Sequence, residues 1–240
     1  MNEIKISDHL RNNYDDYYED GDSEWRRLSA LAKVDNIVSL CGKLPHSSIL
    51  EIGAGEGSIL KRLSELKFGD ELYALELSSS GVKTIKNKKI PDLMECLIFD
   101  GYKIPYENDR FDIAILSHVI EHVEHPRQLL YEASRVAKYV FVEVPLEDNM
   151  RLPKDFVFDK VGHINPFTPR SFRWLLQSSN LRVLQQVITN QSKETYTYEK
   201  GFKGLINYYI KQVLLGVMPG LAPQLFTYYE SIVCEKGSEV

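Results

Sequence analysis

Residues 48–58 read Ser48-Ile49-Leu50-Glu51-Ile52-Gly53-Ala54-Gly55-Glu56-Gly57-Ser58, and their order decides the architecture. The short run ending at Ile52 predicts a buried strand, and the glycines at 53, 55 and 57 predict a tight turn. The following Ser58-Ile-Leu-Lys-Arg-Leu-Ser-Glu-Leu66 has helical spacing. A glycine turn between a first strand and its helix lets backbone pass close to a ligand, because residues without Cβ adopt positive φ and put no side chain in the way.

Outward from this turn the pattern repeats. Residues 71–77 (ELYALEL) predict a strand, 79–89 a helix, 94–99 and 111–117 two further strands, and Pro126 starts a helix running to Ala137. Residues 139–145 (YVFVEVP) form a fifth strand. Short apolar runs alternating with helices predict a parallel sheet covered on both faces, a doubly wound Rossmann-like α/β fold. Thr168 and Pro169 open a later helix, and 181–189 with 226–236 predict a closing strand pair whose C-terminal member is antiparallel. Apolar positions at helical intervals across 23–41 predict a leading helix. The expected organisation is an N-terminal helical lid (1–43) and one α/β domain (44–240), which carries a substrate loop at 146–168 and an amphipathic insertion at 190–226.

The 240 residues suffice for one substantial core, and 43% hydrophobic with 26% charged residues excludes a disordered or membrane-embedded chain. A formal charge of −5 offers no general basic field for nucleic acid. Cys41, Cys96 and Cys234 lack metal or redox spacing and predict buried thiols. The polar, acidic start lacks a secretory signal pattern, which predicts a cytoplasmic protein, and the apolar stretch 205–226 is interrupted too often to span a bilayer.

Three carboxylates give the turn a chemical meaning. Glu51, before the first glycine, is placed to hold an ammonium. Glu76, 23 residues after Gly53 at the end of the second strand, is placed to accept both hydroxyls of a ribose. Asp100, another 24 residues on, is placed to accept from an adenine amino group. Ser58 follows Gly57, so the dinucleotide spacing GxGxxG is absent. The set describes a ligand with a zwitterionic tail, a ribose and an adenine but no phosphate, which is S-adenosylmethionine.

ILEIGAGEG, YALEL, Phe99-Asp100 and FDIAILSHVIEHVEHP resemble class I methyltransferases, in the small-molecule branch that includes the ubiquinone-pathway enzymes, over roughly Leu44 to Leu184. The resemblance implies that Glu51, Gly53, Ala54 and Gly55 line the methionine end of the cofactor, with Gly57 also in the cofactor-binding turn. It places Glu76 and Leu77 at the ribose, Asp100 and Gly101 at the adenine, and Ser117 near the sulfonium. S-adenosylhomocysteine is then the product. The motif His118-x-x-Glu121-His122, with His163, is similar to the Glu-x-x-Glu-His metal motif of some ubiquinone-pathway and small-RNA methyltransferases. It makes a divalent metal a candidate, with His118 in place of their first glutamate.

Of His118, His122, His125 and His163, the first and last are the candidate general bases for an acceptor hydroxyl or amine. Tyr14, Tyr17, Tyr18 and Trp25 are candidate lid residues. The expected acceptor is a small metabolite, with a sugar or lipid-linked sugar as one candidate. Residues 201–227 could cover the acceptor, form a homodimer contact or meet a membrane surface. The alternatives are an NAD(P)-dependent oxidoreductase and a catalytically inactive cofactor-binding partner subunit.

Overall fold

The computed structural model describes residues 23–155 and 162–237. Seven strands form one sheet in the order β3-β2-β1-β4-β5-β7-β6: β1 (Ser48–Ile52), β2 (Glu71–Glu76), β3 (Leu93–Ile98), β4 (Phe111–Ser117), β5 (Ala137–Pro145), β6 (Leu181–Thr189) and β7 (Tyr229–Lys236). The first five are parallel, and β7 runs antiparallel to both β5 and β6. Strand order reverses beside β1, whose carboxyl end lies between those of β2 and β4. In open α/β sheets, that crevice is where ligands bind.

Helices α1 (Ser23–Cys41), α2 (Ser58–Glu65) and α3 (Ser79–Asn87) cover one face, while α4 (Pro126–Val136) and α5 (Pro169–Ser178) cover the other. Alternate residues of β1 serve the two cores: Ile49 packs with Val34, Ile37 and Leu63, whereas Leu50 packs with Leu129, Leu130 and Phe172 on the opposite face. Burial of each such side chain contributes roughly 1.5–3 kcal/mol. Because Val34 and Ile37 are fully buried, α1 is part of the core. Thr168 and Ser171 form a reciprocal capping box at the start of α5, and Pro169 sits where a missing N–H costs nothing.

The insertion between β6 and β7 is mainly α6 (Lys193–Val217), whose two helical segments meet at Gly201 (φ 55°, ψ −136°), followed by the short α7 (Ala222–Leu225). Lys211 is buried here, lying over the Tyr196 and Tyr228 rings and donating to the Thr227 carbonyl at 2.6 Å. With Thr227 O so engaged, β7 begins at Tyr229, three residues later than the apolar pattern suggests. Cys41, Cys96 and Cys234 are buried free thiols. No helix among the described residues is long and apolar enough to cross a membrane.

Candidate active site

The turn after β1 is held in a conformation that only glycine adopts easily. Gly53, Gly55 and Gly57 have φ of 72°, 58° and 77°, and a Cβ on Gly53 would lie 2.7 Å from Val119 Cγ2. The turn is tied to β2 by backbone bonds from Gly53 N and Ala54 N to Leu75 O. Glu76 completes the brace: Oε2 accepts from Gly55 N at 2.7 Å, and Oε1 accepts from Ser78 N and Ser78 Oγ. Burial raises the pKa of Glu76 against the opposing pull of these bonds.

A cavity of about 310 Å³ opens over this turn. It is lined by Glu51, Gly53, Ala54 and Gly55 on one side, Ser117, His118, His122 and His163 on another, and one face of α1 bearing Trp25, Arg26 and Lys33. Glu51 is buried, and its Oε2 has no hydrogen-bond partner among the described residues. Burial pushes its pKa up to about 8, even with Lys33 pulling it down. A buried carboxyl group with one oxygen unpartnered beside open space is a site for a cation. Lys33 has its own pKa lowered by burial, against the fields of Glu143, Glu121 and Glu51.

Behind the turn lies a charged floor. His118, at the end of β4 with φ 57°, has Nδ1 at 3.3 Å from Glu121 Oε1 and Nε2 at 3.4 Å from Glu143 Oε1. Neither contact is aligned as a hydrogen bond: His118 Nε2 and both Glu121 oxygens remain unbonded and buried. Glu143 accepts from Asn36 Nδ2, Ser231 Oγ and Ser117 Oγ at 2.8, 2.6 and 3.1 Å. Burial alone would raise its pKa, but His118, Lys33 and Ser231 outweigh that and bring it down to about 2. Glu121 is also lowered, its burial outweighed by His118, His122 and His163.

His122 and His163 stack edge-to-face, with ring centroids 4.6 Å apart. One ligand atom each from Glu121, His122 and His163 fall within 4.8 Å of one another, a grouping able to hold a metal ion. His163 Nδ1 lies 2.5 Å from Glu147 Oε2, and His122 Nδ1 lies 3.3 Å from Gly162 O. If each Nδ1 donates, the lone pair is on Nε2, the arrangement found when a histidine ligates a metal and an outer partner fixes its tautomer. Burial lowers the pKa of His122 and keeps it in the neutral form a ligand needs. The buried, unbonded Glu121 carboxylate makes this donor set fit a divalent cation.

Of the sequence-predicted residues, Glu51, Gly53, Ala54, Gly55, Ser117, His118 and His163 meet around the cavity, whereas Gly57, Glu76, Leu77, Asp100 and Gly101 are outside its lining. Glu76 braces the turn. Asp100 Oδ1 accepts from Tyr102 N and Lys103 N, closing the bend at Gly101. His118 does not join the three-residue metal grouping, and His125 is turned away against Tyr102. Tyr14, Tyr17 and Tyr18 lie outside the described residues; Trp25 lines the cavity, and its Nε1 donates to Glu199 of α6. Sequence reasoning missed Arg26, Lys33, Glu56 and Glu143. Glu56, inside the glycine turn, pairs with Arg26 of α1 and Lys88 after α3.

A family model described as "Methyltransferase domain" matches residues 24–186. An uncharacterized protein of Methanocaldococcus jannaschii is 28% identical over 127 residues, covering 53% of this chain and 57% of that protein. A mitochondrial ubiquinone biosynthesis O-methyltransferase of Candida albicans is 29% identical over 89 residues, 35% of this chain and 27% of that one. The matches thus span less than two thirds of these curated relatives. Among solved structures, geranyl diphosphate C-methyltransferase of Streptomyces coelicolor, crystallised with Mg²⁺ and S-adenosyl-L-homocysteine, superposes with a TM-score of 0.65 at 12% identity, over 98% of this chain and 100% of that one. At that identity the likeness concerns the fold.

Proposed function

The chain belongs to the methyltransferase-domain family, a family of S-adenosylmethionine-dependent enzymes, and on that premise we propose that it methylates an oxygen or nitrogen atom of a small acceptor. The observation that carries this reading is Glu51: a buried carboxylate with an unpartnered oxygen beside the glycine turn. S-adenosylmethionine supplies an electrophilic methyl on a positively charged sulfur that leaves as a neutral thioether. Glu51 holds the ammonium of its amino-acid end, and Lys33 is the matching cation for the carboxylate. Glu121 and Glu143 are buried behind His118 and put negative charge beneath the cavity, on the side where the cationic sulfonium would lie. The ribose and adenine are assigned to Glu76 with Leu77 and to Asp100 with Gly101, and this requires the side chains at the ends of β2 and β3 to bond the ligand in addition to their turns.

His163 is the better placed of the two candidate bases. Glu147 holds its Nδ1, so Nε2 is the atom that takes the acceptor's proton. His118, with both ring nitrogens facing buried carboxylates, positions the floor under the methyl group. A second arrangement is favoured by the unbonded Glu121 oxygens: a divalent cation held by Glu121, His122 and His163. Such a cation would supply Lewis-acid activation of an acceptor hydroxyl. A sugar or lipid-linked sugar is the acceptor class we propose.

Calorimetric titration with S-adenosylhomocysteine, and separately with NAD and NADP, tests the cofactor assignment. Saturable S-adenosylhomocysteine binding that weakens at least about tenfold in Glu51→Gln is expected. Binding of nicotinamide nucleotides alone would overturn the proposal. Exhaustive chelation followed by Mn²⁺ titration separates the two acceptor-activation arrangements, since only the second binds the ion and loses it in Glu121→Gln.

A further inference from the structure

We infer that the α6–α7 insertion, together with the loop after β5, is a docking surface for an anionic lipid bilayer. Of the sixteen large apolar side chains exposed among the described residues, nine lie between Tyr198 and Leu221 and two, Met150 and Leu152, on the loop. On α6, Phe202, Ile206, Tyr209, Ile210, Val213 and Val217 recur at helical spacing and form one continuous stripe, with Phe202 75% and Val213 64% exposed. Met150 is 80% exposed, and its N–H donates to Gln224 O of α7, so the loop tip extends the same patch.

Topology puts both parts on one side of the molecule. β5 and β6 each run antiparallel to β7 and therefore share a direction. The loop leaving Pro145 and the insertion leaving Thr189 thus emerge from the same carboxyl edge as the glycine turn. The cavity mouth is joined to the insertion by Trp25 Nε1, which donates to Glu199.

Charge selects the occupant. In a chain of net charge −5, residues 200–229 contain no acidic residue and, besides the buried Lys211, the two exposed lysines Lys200 and Lys203. Of the flanking acids, Glu199 accepts from Trp25, Glu230 is buried, and the exposed Glu194 lies 3.9 Å from Lys193. On the loop, Glu147 is engaged by His163, and Arg151 and Lys154 offset the remaining described acids, Asp148 and Asp155. A self-complementary dimer through the stripe would face its lysines with no acid in the patch to pair them. Anionic headgroups would neutralise them while the apolar stripe enters the acyl boundary, the mode of an interfacial amphipathic helix. Lys211 is taken up inside the fold and anchors α6 beneath its exposed face. This inference concerns where the protein sits and stands independently of the reaction proposed above.

Flotation of the full chain with vesicles tests it without reference to turnover. Binding to phosphatidylcholine vesicles containing phosphatidylglycerol is expected, with at least about tenfold weaker binding to pure phosphatidylcholine and weakening in high salt. The double variant Phe202→Asp/Val213→Asp should lose at least about tenfold in partitioning, while Met94→Asp, which alters an exposed apolar residue on the distant strand β3, should not. Absence of binding to both vesicle types would overturn the inference, as would equal losses in the Met94→Asp control. Light scattering that shows a dimer dissociated by the double variant would assign the stripe to self-association and also overturn it. Should the double variant lose its helical circular dichroism, the vesicle-composition and salt arms on the native chain decide the matter alone.

Discussion

Glu76 Oε2 accepts a 2.7 Å hydrogen bond from the backbone N–H of Gly55, tying the end of β2 to the turn after β1. The other carboxylate oxygen receives the N–H and hydroxyl of Ser78, which caps α3. One side chain therefore sets the shape of two consecutive strand–helix junctions.

Removing that carboxylate leaves two buried N–H groups without an acceptor, each costing about 1–3 kcal/mol. Glu76→Ala should lower stability by about 2–4 kcal/mol and weaken S-adenosylhomocysteine binding at least about tenfold, with Glu76→Gln intermediate because one carbonyl acceptor survives. Denaturant unfolding and calorimetry of the three proteins check this. A Glu76→Ala protein as stable as the parent would show that the brace carries no weight.

Gly53→Ala combines a left-handed φ of 72° with a Cβ placed 2.7 Å from Val119 Cγ2. We expect about 1–3 kcal/mol of destabilisation from strain and crowding and loss of detectable cofactor binding. In Gly53→Ala/Val119→Ala the crowding is relieved and the backbone strain is not. Part of the stability should return while the cofactor affinity stays low, and a full return of affinity would mean that crowding alone was at fault.

Much of this arrangement is legible in the sequence because it is local. A strand ending at Ile52 and glycines at fixed offsets determine where Glu51 must sit, and the periodic apolar runs locate every strand to within a few residues. What escapes is set by packing across long separations. Lys33 and Asn36 read as ordinary polar positions of an amphipathic helix, and only the seating of α1 across the sheet end brings Asn36 to Glu143 and Lys33 into the cavity. Glu143 itself carried a signal: a carboxylate inside the apolar strand YVFVEVP implies a buried, partnered charge. Asp100 shows the converse, since its register suits a ligand but the Asp-Gly bend also uses its Oδ1.

Glu143, brought down to about 2 in the folded chain, links stability to acid. Its folded value lies below the ordinary carboxylate value, so its contribution is fully present above about pH 4.5 and is lost as pH falls toward 2. In Glu143→Gln, Asn36 and Ser231 keep a partner while His118 and Lys33 lose a counter-charge. The variant should be destabilised at pH 7 by about 1–3 kcal/mol and should show a shallower loss between pH 4.5 and 2. Urea midpoints across that range decide it, and parallel curves for the two proteins would remove Glu143 from the linkage.

Glu51 has the opposite sign, and its consequence reaches the ligand. Burial holds it at about 8 in the folded chain, so at neutral pH it is largely protonated. Between its unfolded value near 4.3 and about 8, the folded protein holds one proton more than the unfolded chain, and the Glu51 contribution to stability falls as pH rises through that window. An ammonium in the cavity reverses this preference by pairing with the carboxylate, so binding must expel the proton wherever Glu51 starts protonated. S-adenosylhomocysteine affinity should therefore rise by up to about tenfold per unit between pH 6 and 8 and then level off. The apparent binding enthalpy at pH 6.5 should vary with buffer ionisation enthalpy in proportion to nearly one released proton. Glu51→Gln, which cannot ionise, should bind more weakly at pH 8 and show neither the pH slope nor the buffer dependence. If the slope persists unchanged in Glu51→Gln, the proton comes from elsewhere and Glu51 is not the group that meets the ammonium.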